Sequence, residues 1–279
     1  NELARLGSHF RKNMDLEDYL KKHDIVGIQG VDTRYITKLI RNKGCMNGLI
    51  TTHHYDDISE VLKRIHDYKV TGVVEKTTCS KPYVLGQGQY KVALYDFGAK
   101  KNIARELVNR NCEVTVFPAN TPAQIILDGN FDGIMLSNGP GDPSECLDII
   151  DNMKILSQSG IPIFAICLGH QLMALAHGCE TEKMTYGHHG ANHPVKDLST
   201  NRVYISTQNH NYVVKEESLD NQVAKMWFQN VNDGTLEGIE YLQKPIKTVQ
   251  FHPEACAGPL DTSYLFDEFI KMMGGNQNA

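Results

Sequence analysis

The sequence predicts an α/β protein in two domains, the larger of which contains a mainly parallel sheet with flanking helices. Downstream of residue 90, short apolar runs typical of strands alternate with helical patterns, as in parallel sheets that are covered on both faces. A Gly/Pro-rich segment at residues 80–90, "SKPYVLGQGQY", separates this region from an upstream part of different pattern. We therefore assign residues 1–85 to a smaller α/β domain with its linker, and residues 86–279 to the larger domain.

Upstream of the linker, two segments have the pattern of capped amphipathic helices, "DLEDYLKKHD" and "DTRYITKLIRNKG". The second is predicted to begin at Asp32 or Thr33, whose side chains can cap a helix, and to end at Gly44. We interpret both helices as structural.

The larger domain begins with regular alternation of strands and helices. Its strands are predicted at "KVALYDF", "EVTVFP", "FDGIMLS" and "IPIFAI", and its helices at "KKNIARELVNR", "PAQIILDG", "CLDIIDNMKILSQ" and "LGHQLMALAHG". Beyond Gly187 the pattern changes to shorter strands, "RVYIST", "KMWFQ", "GIEYL" and "TVQFH", before a last helix at "SYLFDEFIKMM".

The charge and hydropathy of the chain exclude several classes of partner. The formal net charge is −5 and there is no long run of Lys or Arg, so the basic surface that binds nucleic acid or anionic membranes is not expected. The longest unbroken apolar run, residues 163–168, is far shorter than the roughly 20 residues that span a bilayer. We therefore expect a cytoplasmic protein with a small-molecule substrate and no nucleic-acid or membrane partner.

The seven cysteines form an odd set without a C-x-x-C spacing, which argues against a disulfide framework and a zinc knuckle. Cys167 differs from the others because it directly follows the apolar "IPIFAI" strand and directly precedes a helix. This position predicts a sharp strand-to-helix turn that exposes the thiol above the carboxyl ends of the strands.

The neighbours of Cys167 suit a nucleophile. The start of a helix favours a thiolate, and the backbone N–H of Leu168 can stabilise an oxyanion. Gly169 lets the turn pack tightly, and Gln171 lies on the same helical face as Cys167, where it can contact whatever the thiol attacks. The alternative is that Cys167 is one more buried thiol.

The segment "TVQFHPEA" supplies a candidate base. His252 and Glu254 are two residues apart in a predicted extended segment, so their side chains should point the same way. A carboxylate can hold the imidazole in the tautomer that accepts a proton from the thiol. Alone the motif could be a surface turn, but with Cys167 it supplies nucleophile, base and orienter for acyl transfer. Cys256 is a weaker nucleophile candidate, because no strand-to-helix turn precedes it.

Three motifs, "SNGPGDP", "AICLGHQ" and "FHPEA", resemble the signatures of class I glutamine amidotransferases, which release ammonia from glutamine. The resemblance covers about residues 91–274. It implies that Cys167 is the nucleophile, His252 the base and acid, and Glu254 the group that orients His252.

The same resemblance implies an oxyanion site that is formed by backbone groups at Gly139, Gly141 and Leu168. The glycine loop is not expected to bind phosphate, because it lacks the G-x-x-x-x-G-K-[ST] spacing.

Within this class, "TYGHHGANHPV", "TQNHNYVV" and "DGTLEGIEY" resemble the small-subunit family of carbamoyl-phosphate synthases. So does "IVGIQGVDTRYITKLIRNKGCMNGLI", upstream of the linker. The resemblance implies that Gln171, Asn209, Asn211 and Tyr212 contact glutamine, the last two through their backbone. It also implies a partial N-terminal domain, because the family carries further N-terminal sequence, including a serine expected at the glutamine site.

The family resemblance further implies a partner, the large subunit of carbamoyl-phosphate synthase. That subunit would use ATP, Mg and bicarbonate, together with ammonia from glutamine, to make carbamoyl phosphate for arginine or pyrimidine synthesis. The chain itself would hydrolyse glutamine through a γ-glutamyl thioester, and no cofactor is expected on it.

Two positions depart from the family pattern: Ala165 and Asn211 stand where glycine is usual. Other functions also remain open, namely another class I amidotransferase, a free-standing γ-glutamyl hydrolase, or a non-catalytic regulatory or binding subunit. The upstream domain distinguishes the first two from a synthase small subunit. A non-catalytic subunit usually lacks the Cys, His or Glu, and all three are present.

The histidines of "GHHGANHP" raise the possibility of a metal site at His188, His189 and His193. No Cys or acidic residue nearby in the sequence completes a recognisable ligand set. We interpret the segment as a Gly-rich loop whose histidines pack or hydrogen-bond, and we predict no metal site.

Overall fold

The computed structural model describes residues 2–3, 7–8, 10, 12–256 and 258–274. The chain divides into two compact units, Asn1–Lys69 and Val70–Ala279. Residues 70–85, which the sequence analysis assigns to the first domain and its linker, therefore belong to the larger unit. Within the described residues, no helix has the length and apolar content needed to cross a membrane.

From β2 to α8 the helices and strands follow one another in the order expected from the sequence, whereas α3, α4 and β1, the last within the predicted linker, were not predicted. The helices are α1 Leu16–Lys22, α2 Thr33–Lys43, α3 Ile58–Asp67, α4 Val73–Thr77, α5 Lys101–Val108, α6 Ala123–Asp128, α7 Leu147–Leu156, α8 Leu168–Ala176 and α9 Tyr264–Gly274. The strands are β1 Tyr83–Leu85, β2 Tyr90–Asp96, β3 Cys112–Pro118, β4 Gly133–Leu136, β5 Ile163–Ile166, β6 Thr181–Asp197, β7 Val203–Val214, β8 Ala224–Asn230, β9 Leu236–Tyr241 and β10 Ile246–Val249.

The described residues of the smaller unit form helices α1, α2 and α3 and no strand, unlike the α/β domain expected from the sequence, whereas the predicted ends of α2 are confirmed. The side chain of Asp32 accepts a hydrogen bond from the backbone N–H of Tyr35 at 2.9 Å, which satisfies one of the free donors of the first turn. The helix ends at Gly44, whose φ of 80° is easy for glycine.

The larger unit is built on a ten-stranded sheet of order β1-β3-β2-β4-β5-β10-β9-β8-β6-β7. Strands β3, β2, β4, β5 and β10 are parallel neighbours, and the remaining strands pair antiparallel. The predicted α/β class, with a parallel sheet at its centre and helices on its faces, is confirmed.

The parallel strands are buried on both faces, which explains their continuous apolar runs. Along β5, Ile163 and Ala165 face the core beneath α6, α7 and α8, whereas Phe164 and Ile166 face the core beneath α5 and α9. This two-residue alternation gives β5 contacts with helices on both faces of the sheet, which hold its carboxyl end in place.

The segment "TYGHHGANHP" is not a loop, as the sequence analysis expected, but part of the long strand β6. It pairs antiparallel with β7, and the register shifts between Lys183 and His188 and again between Gly190 and His193. Gly187 and Gly190 have φ of 71° and 146°, so bulges interrupt the pairing there. The expectation of only short strands after Gly187 was therefore wrong for β6 and β7.

Replacement of Phe164 by alanine tests the packing between the sheet and α9. Phe164 is 1% exposed, and its ring centroid lies 6.0 Å from those of Phe266 and Phe269. Because the vacated space cannot be refilled, we expect Phe164→Ala to lower the free energy of unfolding by about 3–5 kcal/mol in urea denaturation. Ile125→Ala, at a 51% exposed side chain, should change it by less than about 1 kcal/mol. Equal effects of the two variants would contradict this account of the core.

Candidate active site

Cys167 occupies a strained backbone turn between β5 and α8. Its φ of 53° and ψ of −104° are unfavourable for any residue with a side chain. Its N–H donates to the carbonyl of Val249 at 2.8 Å, and its carbonyl accepts from the N–H of Gln171 at 3.1 Å. This is the strand-to-helix turn that the sequence predicts. The thiol borders a cleft but is not exposed as expected, since Cys167 is only 5% accessible to solvent.

Gly169 allows α8 to begin directly against β4. A Cβ at this position would lie 2.7 Å from the carbonyl oxygen of Leu136, so any larger residue would push the helix away. The N–H of Gly169 donates to the carbonyl of Ser137 at 3.1 Å. Leu168 is the first residue of α8. The N–H groups of the first helical turn have no acceptor within the helix, so the N–H of Leu168 can donate to an oxyanion.

His252 and Glu254 form a buried pair in the segment that follows β10. His252 Nδ1 and Glu254 Oε1 are 2.8 Å apart, and the side chains are 2% and 0% exposed. The two side chains meet across a turn, not along the extended segment that the sequence analysis expected, since the N–H of Ala255 donates to the carbonyl of His252. Because a carboxylate only accepts, Nδ1 carries a proton, and Nε2 is the nitrogen left to exchange one.

The charges around this pair support an imidazolium. Burial disfavours the charged ring, but the sulfur of Cys167 and the carboxylate of Glu254 outweigh burial and raise the pKa of His252 to about 9. Burial also opposes the charge of Glu254, yet His252 and Lys100 hold the pKa of that carboxyl below its usual value. The Nζ of Lys100 lies 3.5 Å from Glu254 Oε1.

The loop at residues 137–143 borders the thiol. A Cβ on Gly139 would lie 2.4 Å from the carbonyl oxygen of Phe97 and 2.6 Å from Cδ2 of Leu168, so glycine is required for the loop to approach α8. Gly141 has φ of 98°, which also favours glycine. Asn138 anchors the loop by accepting a hydrogen bond from the N–H of Lys100 at 2.9 Å.

A cleft of about 430 Å³ brings most of the predicted site residues together. Its lining includes Gly139, Gly141, Cys167, Gln171, Asn209, Asn211, Tyr212 and His252. Leu168 and Glu254 are buried behind this lining, at 1% exposure each. A larger cavity of about 560 Å³ shares Pro140 and Gly141 with the cleft but does not include Cys167.

The far wall of the cleft is ordered by hydrogen bonds to Gln171. Its Nε2 donates to the carbonyl of Tyr212 at 2.8 Å and to Oε1 of Gln250 at 2.9 Å. Its own Oε1 is then the group left to accept a hydrogen bond from a ligand. Burial and a hydrogen bond to Asp142 raise the pKa of Tyr212 to about 12, so its hydroxyl stays protonated.

Asn209 and Asn211 are joined by one histidine. His189 Nδ1 lies 3.0 Å from Oδ1 of Asn209, and its Nε2 lies 3.1 Å from Oδ1 of Asn211. The side chain of Asn211, which stands where glycine is usual, therefore contacts His189. The other departure, Ala165, is fully buried within β5.

Sequence reasoning missed His210, which lines the cleft, and the buried polar residues Gln208 and Glu237 behind it. One signal was available, since Ser206, Gln208 and His210 alternate along β7 and therefore share one face. The acidic partners of His188 are likewise absent from the neighbouring sequence. They are Asp233, 2.7 Å away, and Glu237 of β9, 3.3 Å away.

Comparison with known proteins identifies the family to which the chain belongs. The family model described as glutamine amidotransferase class-I matches residues 93–272, and the carbamoyl-phosphate synthase small chain model for the CPSase domain matches residues 1–50. The chain is 45% identical to the carbamoyl phosphate synthase small chain of Photorhabdus laumondii, with 98% of this chain and 75% of that protein covered. It is 43% identical to the Listeria monocytogenes small chain, with 100% and 76% covered.

The chain belongs to the carbamoyl phosphate synthase small chain family. This assignment confirms the resemblance drawn from the motifs and supports glutamine-hydrolysing activity. The fold agrees with that of a proposed GMP synthase subunit from Thermoplasma acidophilum, with a TM-score of 0.59 and 21% identity over 67% of this chain and 96% of that one. The seven cysteines are free thiols in the structure.

The charge of His252 can be tested by NMR titration. We expect its midpoint near pH 9 in the wild type, and a lower midpoint in Glu254→Gln, which removes a stabilising carboxylate. In the unfolded chain a histidine has a pKa of about 6.5. The protonation of His252 therefore stabilises the folded state fully below that pH, and this stabilisation is lost as the pH rises through about 9. An unchanged midpoint in Glu254→Gln would contradict this role of Glu254. His66→Gln, at an exposed position, is the control by which the histidine signals are told apart.

Proposed function

We propose that this protein is the glutaminase subunit of a carbamoyl phosphate synthase and hydrolyses glutamine to glutamate and ammonia at Cys167. The observation that carries the proposal is one cleft in which the strained Cys167 meets the buried pair of His252 and Glu254. Membership of the small chain family supports the same function.

In the first step, the sulfur of Cys167 attacks the side-chain amide carbon of glutamine. The carbonyl oxygen becomes an oxyanion, which the N–H of Leu168 and the backbone at Gly139 and Gly141 stabilise. His252 gives its Nε2 proton to the amide nitrogen, the C–N bond breaks, and ammonia leaves. A γ-glutamyl thioester remains on Cys167.

In the second step, water hydrolyses the thioester. His252 takes a proton from the water through Nε2, the hydroxide oxygen bonds to the carbonyl carbon, and the C–S bond breaks to release glutamate. Glu254 holds the ring in position and stabilises its charged form in both steps. No step requires a metal or an organic cofactor on this chain.

Glutamine is held by the groups that line the cleft. Gln171 offers its free Oε1 to the α-ammonium group, which has only N–H donors. The backbone at Asn211 and Tyr212 and the side chain of Asn209 complete the contacts. These polar groups fix the orientation of the substrate and place its amide carbon beside Cys167.

The ammonia passes to the large subunit of the synthase, which binds ATP and Mg and makes carbamoyl phosphate from bicarbonate. We place this reaction in the cytoplasm, at the start of arginine or pyrimidine synthesis. A non-catalytic regulatory or binding subunit, or another class I amidotransferase, is the alternative, and the intact set of Cys167, His252 and Glu254 favours the catalytic role.

Removal of the thiol tests this function. We expect Cys167→Ala to lower glutamate release from glutamine by at least about a thousandfold, because no other group can form the thioester. The matched control is Cys256→Ala, at an exposed thiol in the same region, which should retain wild-type activity. Release should also accelerate when the large subunit is added. Glutamate release that survives Cys167→Ala would refute the proposal.

A further inference from the structure

A buried hydrogen-bond network lies behind the wall of the cleft, with Glu237 at its centre. Glu237 is 0% exposed. Its Oε1 accepts from Nδ2 of Asn230 at 2.9 Å and lies 3.3 Å from Nδ1 of His188, while its Oε2 accepts from Nε2 of Gln208 at 2.8 Å. The opposite nitrogen of His188 is 2.7 Å from Oδ2 of Asp233. Because an ionised carboxylate only accepts, Asn230 and Gln208 turn N–H groups toward it, while His188 lies at ion-pair distance.

Glu237 thereby fixes the orientation of Gln208. The NH₂ group of Gln208 is engaged by Glu237, so its carbonyl oxygen faces Nε2 of His210 at 3.0 Å. The other ring nitrogen of His210, Nδ1, faces the carbonyl of Tyr212 at 2.8 Å. Both ring nitrogens therefore face acceptors, and only an imidazolium can donate both hydrogen bonds.

The surroundings of His210 oppose that charge. The titratable groups that face the ring are His188 of β6, Glu237 of β9, His170 of α8 and His252 after β10. Burial is the largest influence and lowers the pKa of His210 to about 4, although Glu237 and the carbonyl of Tyr212 act in the opposite direction. At neutral pH, His210 thus donates to Tyr212 alone, and its Nε2 lone pair faces the carbonyl oxygen of Gln208.

We propose that Glu237 is a positioning residue for glutamine binding: by fixing Gln208, it makes His210 take up a proton when the α-carboxylate of glutamine enters the cleft. His210 lines the cleft, so a carboxylate there acts directly on the charge of the ring. The proton comes from solvent, binds Nε2 and completes the hydrogen bond to Gln208. This inference rests on the proposed glutaminase function.

A divalent cation is the competing occupant of the same cluster, because ligand atoms of His188, His210 and Glu237 lie within 4.8 Å of one another. The hydrogen bonds favour a proton. Both oxygens of Glu237 are already engaged by Asn230, Gln208 and His188, and His188 is held between two carboxylates. Those carboxylates outweigh burial and raise the pKa of His188, as expected for an imidazolium.

The test compares Glu237→Gln with Asp233→Asn, each in the full Cys167→Ala chain assembled with its large subunit. Both variants remove a carboxylate charge beside His188, but of the two only Glu237 contacts Gln208. Titration calorimetry with glutamine near neutral pH, in buffers of different ionisation enthalpy, gives affinity and proton uptake together. We expect the Cys167→Ala parent and Asp233→Asn to take up a similar fraction of a proton, and Glu237→Gln to lose this uptake and bind about tenfold more weakly.

The physical reason is that an amide at residue 237 can donate a hydrogen bond to Gln208. The side-chain amide of Gln208 can then rotate so that its oxygen faces residue 237 and its NH₂ group donates to Nε2 of a neutral His210. Gln208→Leu removes the carbonyl that faces His210 and should lose the same uptake, so it replaces Glu237→Gln if that variant fails to fold. Unchanged uptake and affinity in Glu237→Gln would overturn this inference and leave the glutaminase function intact. Binding that a chelator abolishes and zinc restores would replace the inference by a cation site. Failure of the parent to bind glutamine would overturn the glutaminase function as well.

Discussion

The strained backbone of Cys167 is the constraint on which the rest of the site depends. A residue with a side chain at φ 53° and ψ −104° is destabilised by on the order of 1–3 kcal/mol, so the surroundings must hold it there. Strand β5 is paired in parallel with β4 on one side and β10 on the other. The hydrogen bond from the N–H of Cys167 to the carbonyl of Val249, the last residue of β10, extends this pairing to Cys167 itself. Gly169 then seats α8 against β4. The result is a thiol whose position does not depend on a flexible loop.

The site also places a buried ion pair, His252 and Glu254, where water is largely excluded. A buried carboxylate such as Glu254 is stabilised only if it has partners, and it has both His252 and Lys100. Glu254 and the sulfur of Cys167 in turn stabilise the imidazolium of His252. Removal of either member of the buried pair would leave the other with an unfavourable buried charge, so His252 and Glu254 depend on each other and the ring keeps one orientation.

The antiparallel half of the sheet contributes a polar wall instead of apolar packing. Side chains from β6, β7, β8 and β9 meet in a hydrogen-bonded network around Glu237, and this network reaches the cleft through His210. Buried polar groups are usually hydrogen-bonded, so the contact between His210 and Gln208, in which a neutral ring would set two acceptors against each other, needs an explanation. It lies at the point where the network borders the ligand cleft.

The sequence by itself determined those features that depend on local chemistry. Asp32 and Gly44 set the ends of α2, the apolar run before Cys167 set β5, and the change of pattern at Cys167 located the strand-to-helix turn. The motifs also identified His252 and Glu254, although the turn that joins them was not foreseen.

Tertiary structure alone decided the contacts between distant segments. Strand β6 lacks the apolar alternation that marks a strand, because it is held by backbone pairing with β7 and by bulges at its glycines. Likewise, Asn102 contacts the carbonyl of Glu254 across 152 residues, and Gln171 contacts Gln250 across 79. Such pairs follow from the order and register of the strands, which no single stretch of sequence specifies, and for that reason the polar wall around Glu237 emerged only from the folded chain.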